Sequence, residues 1–318
     1  MNNEFIYNPS EFNGHSHAST IEEHNGRIFA SWYAYKEKEH EQGQIVLSEY
    51  DKNEKKWSKG SFIFPQLRGS SCGNPVLFSH NGSLNIFFVI LKRNYWDSAE
   101  LFASSMAEDG SWTQPLKVNT EPGIMIRHRP LIINNQATIC AYDEKTMSTI
   151  LYSFQNEIHA WTEYSSFKGE YIQGDLIATS SKAWQMYLRA AGDNNHVMKA
   201  LSPDAGKTWD IARETPLYCP LSGIAAIKFD GNKILVCNNH TEKHQRYPLS
   251  LSISESLGLR FEKGPFHIDK SEIELSYPTL LEDSDGMIHL CYTYNRKMIK
   301  HIMISKEELF ERCEVSHA

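Results

Sequence analysis

The sequence predicts an all-β protein, a six-bladed β-propeller with four-stranded antiparallel blades, closed by an amino-terminal strand that joins the last blade. Three observations carry this. Paired turn residues between alternating apolar runs recur at Asn25-Gly26, Asn81-Gly82, Asn134-Asn135, Ser180-Ser181, Asp230-Gly231 and Asp285-Gly286, at intervals of 46 to 56 residues. An aromatic follows each of the first five markers, at Trp57, Trp112, Trp161, Trp209 and Phe261, with a matching spacing of 48 to 55 residues. The stretch Ser202-Pro203-Asp204-Ala205-Gly206-Lys207-Thr208-Trp209 is a polar turn closed by an aromatic plug. In it Ser and Asp can accept hydrogen bonds from the turn's own amides, Gly permits a conformation other residues resist, and Trp buries a ring between sheets. Residues 105–112 and 254–261 carry weaker copies, the second with Ser256 for Asp and Phe261 for Trp.

A repeat of about 50 residues that holds four short strands has the dimension of a propeller blade. The first blade reads as strands at 17–23, 27–35, 44–50 and 57–64. After Gly286 the chain has room only for strands at 287–294 and 299–305 and a short helix at 306–312, so the last blade lacks a strand. Residues 5–8 can supply it and remove two exposed sheet edges. The whole chain, 1–318, then forms one domain without a linker.

The net charge of -7 excludes the basic surface that nucleic-acid binding needs. Residues 1–10 lack the basic segment and apolar run of a secretory signal, and no apolar stretch has the length of a membrane span. The six cysteines are scattered without a zinc or redox spacing, which reads as reduced thiols in a cytoplasmic protein. No metal-ligand cluster, phosphate-cradling glycine loop or Gly-x-Ser-x-Gly elbow occurs, and neither a metal nor another cofactor is expected.

In a propeller the innermost strands line a central funnel, so residues at one offset in every blade form a ring. Six to nine residues before the turn markers stand His17, Asn74, Arg129 with His128 beside it, Gln173, Ser222 and Tyr277. At the ends of the second strands, on the same mouth, stand Tyr33 or Tyr35, Arg93, Tyr142, Arg189, Asn239 and Tyr294. Convergent polar groups in a concave site predict a ligand pocket. Arg189 and Arg246, with Arg129, suit an anion, and a tyrosine among arginines can serve as nucleophile or base. Tyr95 and Trp96 could stack on a sugar ring.

The segments His17-Ala-Ser-Thr-Ile, Cys72-Gly-Asn-Pro-Val-Leu-Phe, the turn at 202–209, and Ser276-Tyr-Pro-Thr followed by Ser284-Asp-Gly resemble the sialidase-related propellers of the BNR/Asp-box class. The resemblance implies that Tyr277 is the nucleophile and that Arg189 and Arg246 are two of the three arginines that clamp a substrate carboxylate. It also exposes departures. Ser16-His17-Ala18 stands where the family has its first arginine, Gln173 where it has an acidic partner for the tyrosine, and Glu37, Glu39 and Glu41 lie in the loop of its acid/base aspartate.

The departures count against ordinary sialic acid hydrolysis. His17 or His128 becomes the acid/base candidate, since imidazole titrates near neutrality. The expected function is a glycosidase acting on an acidic oligosaccharide or small sugar, with Tyr277, His17 and His128 as catalytic residues. Substrate binding is assigned to Arg189, Arg246, Arg129, Asn74, Gln173, Asn239 and Tyr294. The alternatives are a non-catalytic sugar-binding propeller and a lyase that uses histidine and tyrosine on a uronic acid.

Overall fold

The computed structural model describes residues 1–6, 14–167 and 169–315. Six antiparallel sheets form the blades. The amino terminus begins with β1 (Asn2–Phe5), and blade 1 follows as β2 (His15–His24), β3 (Arg27–Tyr35), β4 (Gln44–Asp51) and the short β5 (Lys56–Trp57) and β6 (Ser61–Phe62). Blade 2 is β7 (Ser71–His80), β8 (Ser83–Leu91), β9 (Ala99–Ser105) and β10 (Leu116–Lys117). Blade 3 divides its inner strand into β11 (Ile124–Ile126) and β12 (Leu131–Ile133), both paired with β13 (Gln136–Asp143), before β14 (Ser148–Phe154) and β15 (Thr162–Phe167). Blade 4 comprises β16 (Tyr171–Ala178), β17 (Trp184–Ala190), β18 (His196–Ser202) and β19 (Arg213–Tyr218). Blade 5 comprises β20 (Ala225–Phe229), β21 (Lys233–Asn238), β22 (Leu249–Ser254) and β23 (Lys263–Asp269). Blade 6 is β24 (Leu275–Glu282), β25 (Ile288–Tyr294) and β26 (Met298–Ile304), followed by the helix α1 (Lys306–Val315).

The last blade is completed from the amino terminus, as the sequence predicts, but by an earlier segment. Strand β1 pairs with β26 in the register Asn2↔Met303 to Phe5↔Lys300. Of the expected strand at 5–8, Phe5 belongs to β1, while residues 7 and 8 lie outside the described residues. An outermost strand is selected by its backbone hydrogen bonds, so polar Asn2, Asn3 and Glu4 serve as well as the apolar residues that drew attention in the sequence.

Three of the six turn markers are two-residue hairpins with both residues at positive φ, Asn25-Gly26 (50° and 74°), Asn81-Gly82 and Asn134-Asn135, while Asp230-Gly231, also at positive φ, shares a three-residue loop with Asn232. Ser180-Ser181 and Asp285-Gly286 lie in wider loops, the latter closed by the Asp283 carboxylate, which accepts from the amides of Asp285 and Met287.

The core fills the wedges between adjacent blades. Val76, Phe78 and Phe87 of blade 2 pack with Ile139, Phe154 and Trp161 of blade 3, and Trp161 lies edge-on to Phe87 at 5.0 Å. In the turn at 202–209 Asp204 accepts from the amide and hydroxyl of Thr208, the Ser202 hydroxyl accepts from the Gly206 amide, and Trp209 Nε1 donates to the Gly206 carbonyl. The copy at 254–261 repeats the pattern: Ser254 accepts from the Gly258 amide and Ser256, standing in for Asp, accepts from the Arg260 amide.

One feature positions the funnel. Strands β2, β7, β16 and β24 each lose register between His17 and Thr20, Gly73 and Val76, Ile172 and Asp175, and Ser276 and Thr279. The residue in each break has positive φ: Ala18 (49°), Asn74 (45°), Gln173 (55°) and Tyr277 (52°). A bulge of this kind bends the strand and re-aims a side chain, at a cost of about 1–3 kcal/mol for each residue held in such a conformation. Blade 3 breaks its inner strand at the same level, between Ile126 and Leu131.

Candidate functional site

Tyr277 sits on the blade 6 bulge, and the bulges bring its neighbours from four other blades. The His17 ring meets it edge-on, with centroids 4.8 Å apart and planes at 89°. The guanidinium carbons of Arg127 and Arg246 lie 5.2 and 5.7 Å from its ring centre. Behind the ring is Gly223, where a Cβ would stand 3.0 Å from Tyr277 Cδ1. Burial pushes the phenol pKa up, but Arg189, Arg246 and a hydrogen bond with Gln173 outweigh it, so Tyr277 ionises below its ordinary 10.0. Tyr33 and Tyr142, buried nearby, go the other way: desolvation raises both. The arginines therefore single out one tyrosine of the three.

A chain of alternating charges runs along one wall. The Tyr33 hydroxyl donates to Glu39 Oε1 at 2.7 Å, and Glu39 Oε2 accepts from Arg296 at 2.6 Å. Arg296 Nε donates to Glu274 Oε2 at 2.8 Å, while Glu274 Oε1 accepts from Arg246 and from the Ser276 hydroxyl, both at 2.8 Å. Arg189 donates to Gln173 Oε1 at 3.2 Å and has no carboxylate within salt-bridge distance among the described residues. Of the three glutamates in the loop after β3, Glu39 is the one that enters the funnel. Its Oε1 is 3.8 Å from His17 Nε2. His17 is 1% exposed with neither ring nitrogen hydrogen-bonded. Burial first, then Arg296, Arg246 and Arg127, hold its pKa well below 6.5, and it is neutral at pH 7.

His17, Gln173, Arg189, Arg246 and Tyr277 thus come together as the sequence predicts. His128 and Arg129 do not join them. They line a separate cavity of about 230 Å³ with Thr20, Asp175 and Thr279, beyond the bulges along the inner strands. There His128 Nδ1 lies 3.1 Å from Asp175 and Arg129 pairs with Glu22 at 3.1 Å. The constant offset passes the break in blade 3, and the residue facing Tyr277 from that blade is Arg127. Buried at 3% exposure, Arg127 donates to the carbonyls of Ser19, Tyr277 and Pro278.

Asn239 is occupied in joining blades, donating to the carbonyls of Leu275 and Pro248. Asn74 points its amide at Met125 Sδ, 3.6 Å away. Tyr294 shares a face of β25 with Tyr292, whose hydroxyl donates to Asp269; Tyr294 itself approaches Ser271 and packs on Phe5. It therefore faces blade 5 and the closing strand. Trp96 covers Gly73 beside Tyr33 and His40, while Tyr95 is 67% exposed.

Sequence reasoning missed Arg296, Glu274 and Gly223. Arg296 occupies the β25–β26 turn and Glu274 directly precedes β24, positions where a charge normally reads as solvated. The one available signal was their flanking of Tyr294 and Ser276-Tyr277, the last strand pair of the ring.

No curated protein sequence matches the chain. Among solved structures, a Hadza microbial sialidase, Hz136, superposes with a TM-score of 0.82 at 14% identity, covering 96% of this chain and 68% of that one. The NanB sialidase from Streptococcus pneumoniae gives 0.78 at 11%, covering 96% and 71%. The intramolecular trans-sialidase from Ruminococcus gnavus, solved with oseltamivir carboxylate, gives 0.78 at 11%, covering 96% and 98%. At such identities the likeness is one of fold. A sequence profile described as the BNR repeat-like domain matches residues 26–290. That match takes in all five intervals between the turn markers and the Tyr277 bulge, and the chain belongs to the BNR repeat-like domain family.

Proposed function

We propose that the protein is a glycan-active enzyme, a glycoside hydrolase for a carboxylated sugar with Tyr277 as its nucleophile. The observation that carries the reading is the setting of Tyr277, the one tyrosine of the funnel's three with two guanidinium groups against its ring, which favours its ionisation where burial opposes that of Tyr33 and Tyr142. Neutral His17 takes the phenolic proton as the Tyr277 oxygen attacks the anomeric carbon and hands it to the leaving oxygen, and water then releases the sugar, its proton returning to Tyr277. Gln173 orients the phenol without accepting its proton, because an amide has no basic site at neutral pH. Proton transfer falls to His17 and Glu39, which adjoin each other beside Tyr277. The substrate carboxylate is received by Arg189, whose guanidinium also donates to Gln173.

Tyr277→Phe tests this. Against a panel of sialylated and uronate-bearing oligosaccharides read by mass spectrometry, it lowers turnover roughly a thousandfold or more while the circular dichroism spectrum is unchanged. Wild-type turnover by the variant removes Tyr277 as nucleophile, and wild-type binding of a glycan without any product favours a sugar-binding protein.

A specific observation also supports β-elimination. His17 is neutral and its ring nitrogens are unpartnered, as suits a base that removes the proton beside a uronate carboxyl while Tyr277 protonates the leaving oxygen. Isotopically labelled water separates the two: hydrolysis places its oxygen in the product, whereas elimination yields an unsaturated, ultraviolet-absorbing uronate without it.

A further inference from the structure

We propose that Glu274 is a built-in carboxylate occupying the Arg246–Arg296 pair, and that it sets the charge preference of the site. A bound sugar's acid group is left to Arg189, and the wall formed by Glu274 and Glu39 accepts hydrogen bonds from uncharged hydroxyls. The inference rests on the reading of the funnel as a sugar site.

Both oxygens of Glu274 are engaged, one by Arg246 and Ser276 and the other by Arg296, each at 2.8 Å. Three such donors are the complement a bound carboxylate would receive. The backbone fixes the arrangement: the Leu275 amide donates to the Arg246 carbonyl at 2.8 Å and the Asn295 amide to the Glu274 carbonyl at 2.7 Å. Glu274 is thus tied to the segments that carry both arginines. Along this wall two arginines face two glutamates, since Glu39 also pairs with Arg296. A second carboxylate brought to Arg246 meets Glu274 at the same guanidinium, and like-charge repulsion discriminates against it. Arg189 has no carboxylate within salt-bridge distance among the described residues, and unlike Arg127, whose donors are taken by the carbonyls of Ser19, Tyr277 and Pro278, it donates only to Gln173 there.

Two variants test the proposal. In Glu274→Ala a carboxylate-sized gap opens between the arginines, and formate raises the melting temperature of this variant in a concentration-dependent way while leaving wild type unaffected. In Glu274→Gln, which keeps the shape and removes the charge, calorimetry shows the affinity for methyl glucuronide over methyl glucoside rising at least tenfold relative to wild type. Either gain supports the proposal, and the Gln variant serves alone if the Ala variant fails to fold. An unchanged glucuronide preference without a formate response overturns it, even where Tyr277-dependent turnover upholds the enzymatic reading. A formate response in a protein that binds neither sugar supports the internal carboxylate and counts against the sugar site.

Discussion

Gly223 shows how tightly the site is fitted at the scale of one residue. A methyl group there would sit 3.0 Å from the Tyr277 ring, so Gly223→Ala must displace the ring by a few tenths of an ångström. Displacement of a reacting group costs up to about a hundredfold in rate per ångström. Turnover by Gly223→Ala is expected to fall by roughly tenfold, with the melting temperature nearly unchanged. A pH dependence follows from the arginines. They favour the phenolate of Tyr277, so activity that requires the phenolate rises with pH through a midpoint below 10.0. Arg189→Met withdraws one source of that effect and moves the midpoint of the kcat/KM profile to higher pH. Tyr277, Arg189, Gln173 and His17 were legible in the sequence because each occupies a strand position fixed by the repeat, and Arg246, in the loop between β21 and β22, through the family resemblance. Arg127 was not, because the break in blade 3 shifts the count, and Arg296 and Glu274 were not, because turns and strand ends carry no periodicity.

At the scale of the element, the blades were legible because turn chemistry is local: Asn-Gly and Asn-Asn adopt the positive φ values that a two-residue hairpin needs. The bulges depend on how one strand registers against another, and nothing in residues such as Ala18, Gln173 or Tyr277 announces a left-handed backbone. This explains why His17 was placed in the ring while its neighbour Ala18 holds the strained conformation. The turn at 202–209 acts on stability alone. Its Asp204 contacts are to Ser202 and Thr208, within its own turn. Asp204→Ala is expected to lower the melting temperature by roughly a few degrees with kcat unchanged, as measured by calorimetry and by turnover on one substrate.

For the molecule as a whole, the seam where the ring closes encloses two buried histidines, His289 and His301. Buried His301 of β26 lies opposite Glu4 of β1 and accepts from Trp57 Nε1 of blade 1; its other nitrogen meets His289, which contacts Asp283, and the Tyr50 ring packs at 5.5 Å. Burial lowers the His301 pKa from 6.5 to about 4 despite the Glu4 carboxylate 3.4 Å from its Nδ1, which favours the protonated ring. The folded state therefore resists a proton that the unfolded chain accepts. Stability is greatest above pH 6.5 and declines as the pH falls towards 4, by about 3 kcal/mol from this group. Denaturant melts at stepped pH, compared with His301→Gln, check the window, and the variant should show a shallower decline. The amino group of Met1 also reaches Glu308 of α1, so the first strand is held at both the sheet and the helix. During synthesis that strand emerges long before its partner: Asn2 cannot pair with Met303 until almost the entire chain has left the ribosome. Until β1 and β26 have both been made and paired, blade 6 presents an open edge.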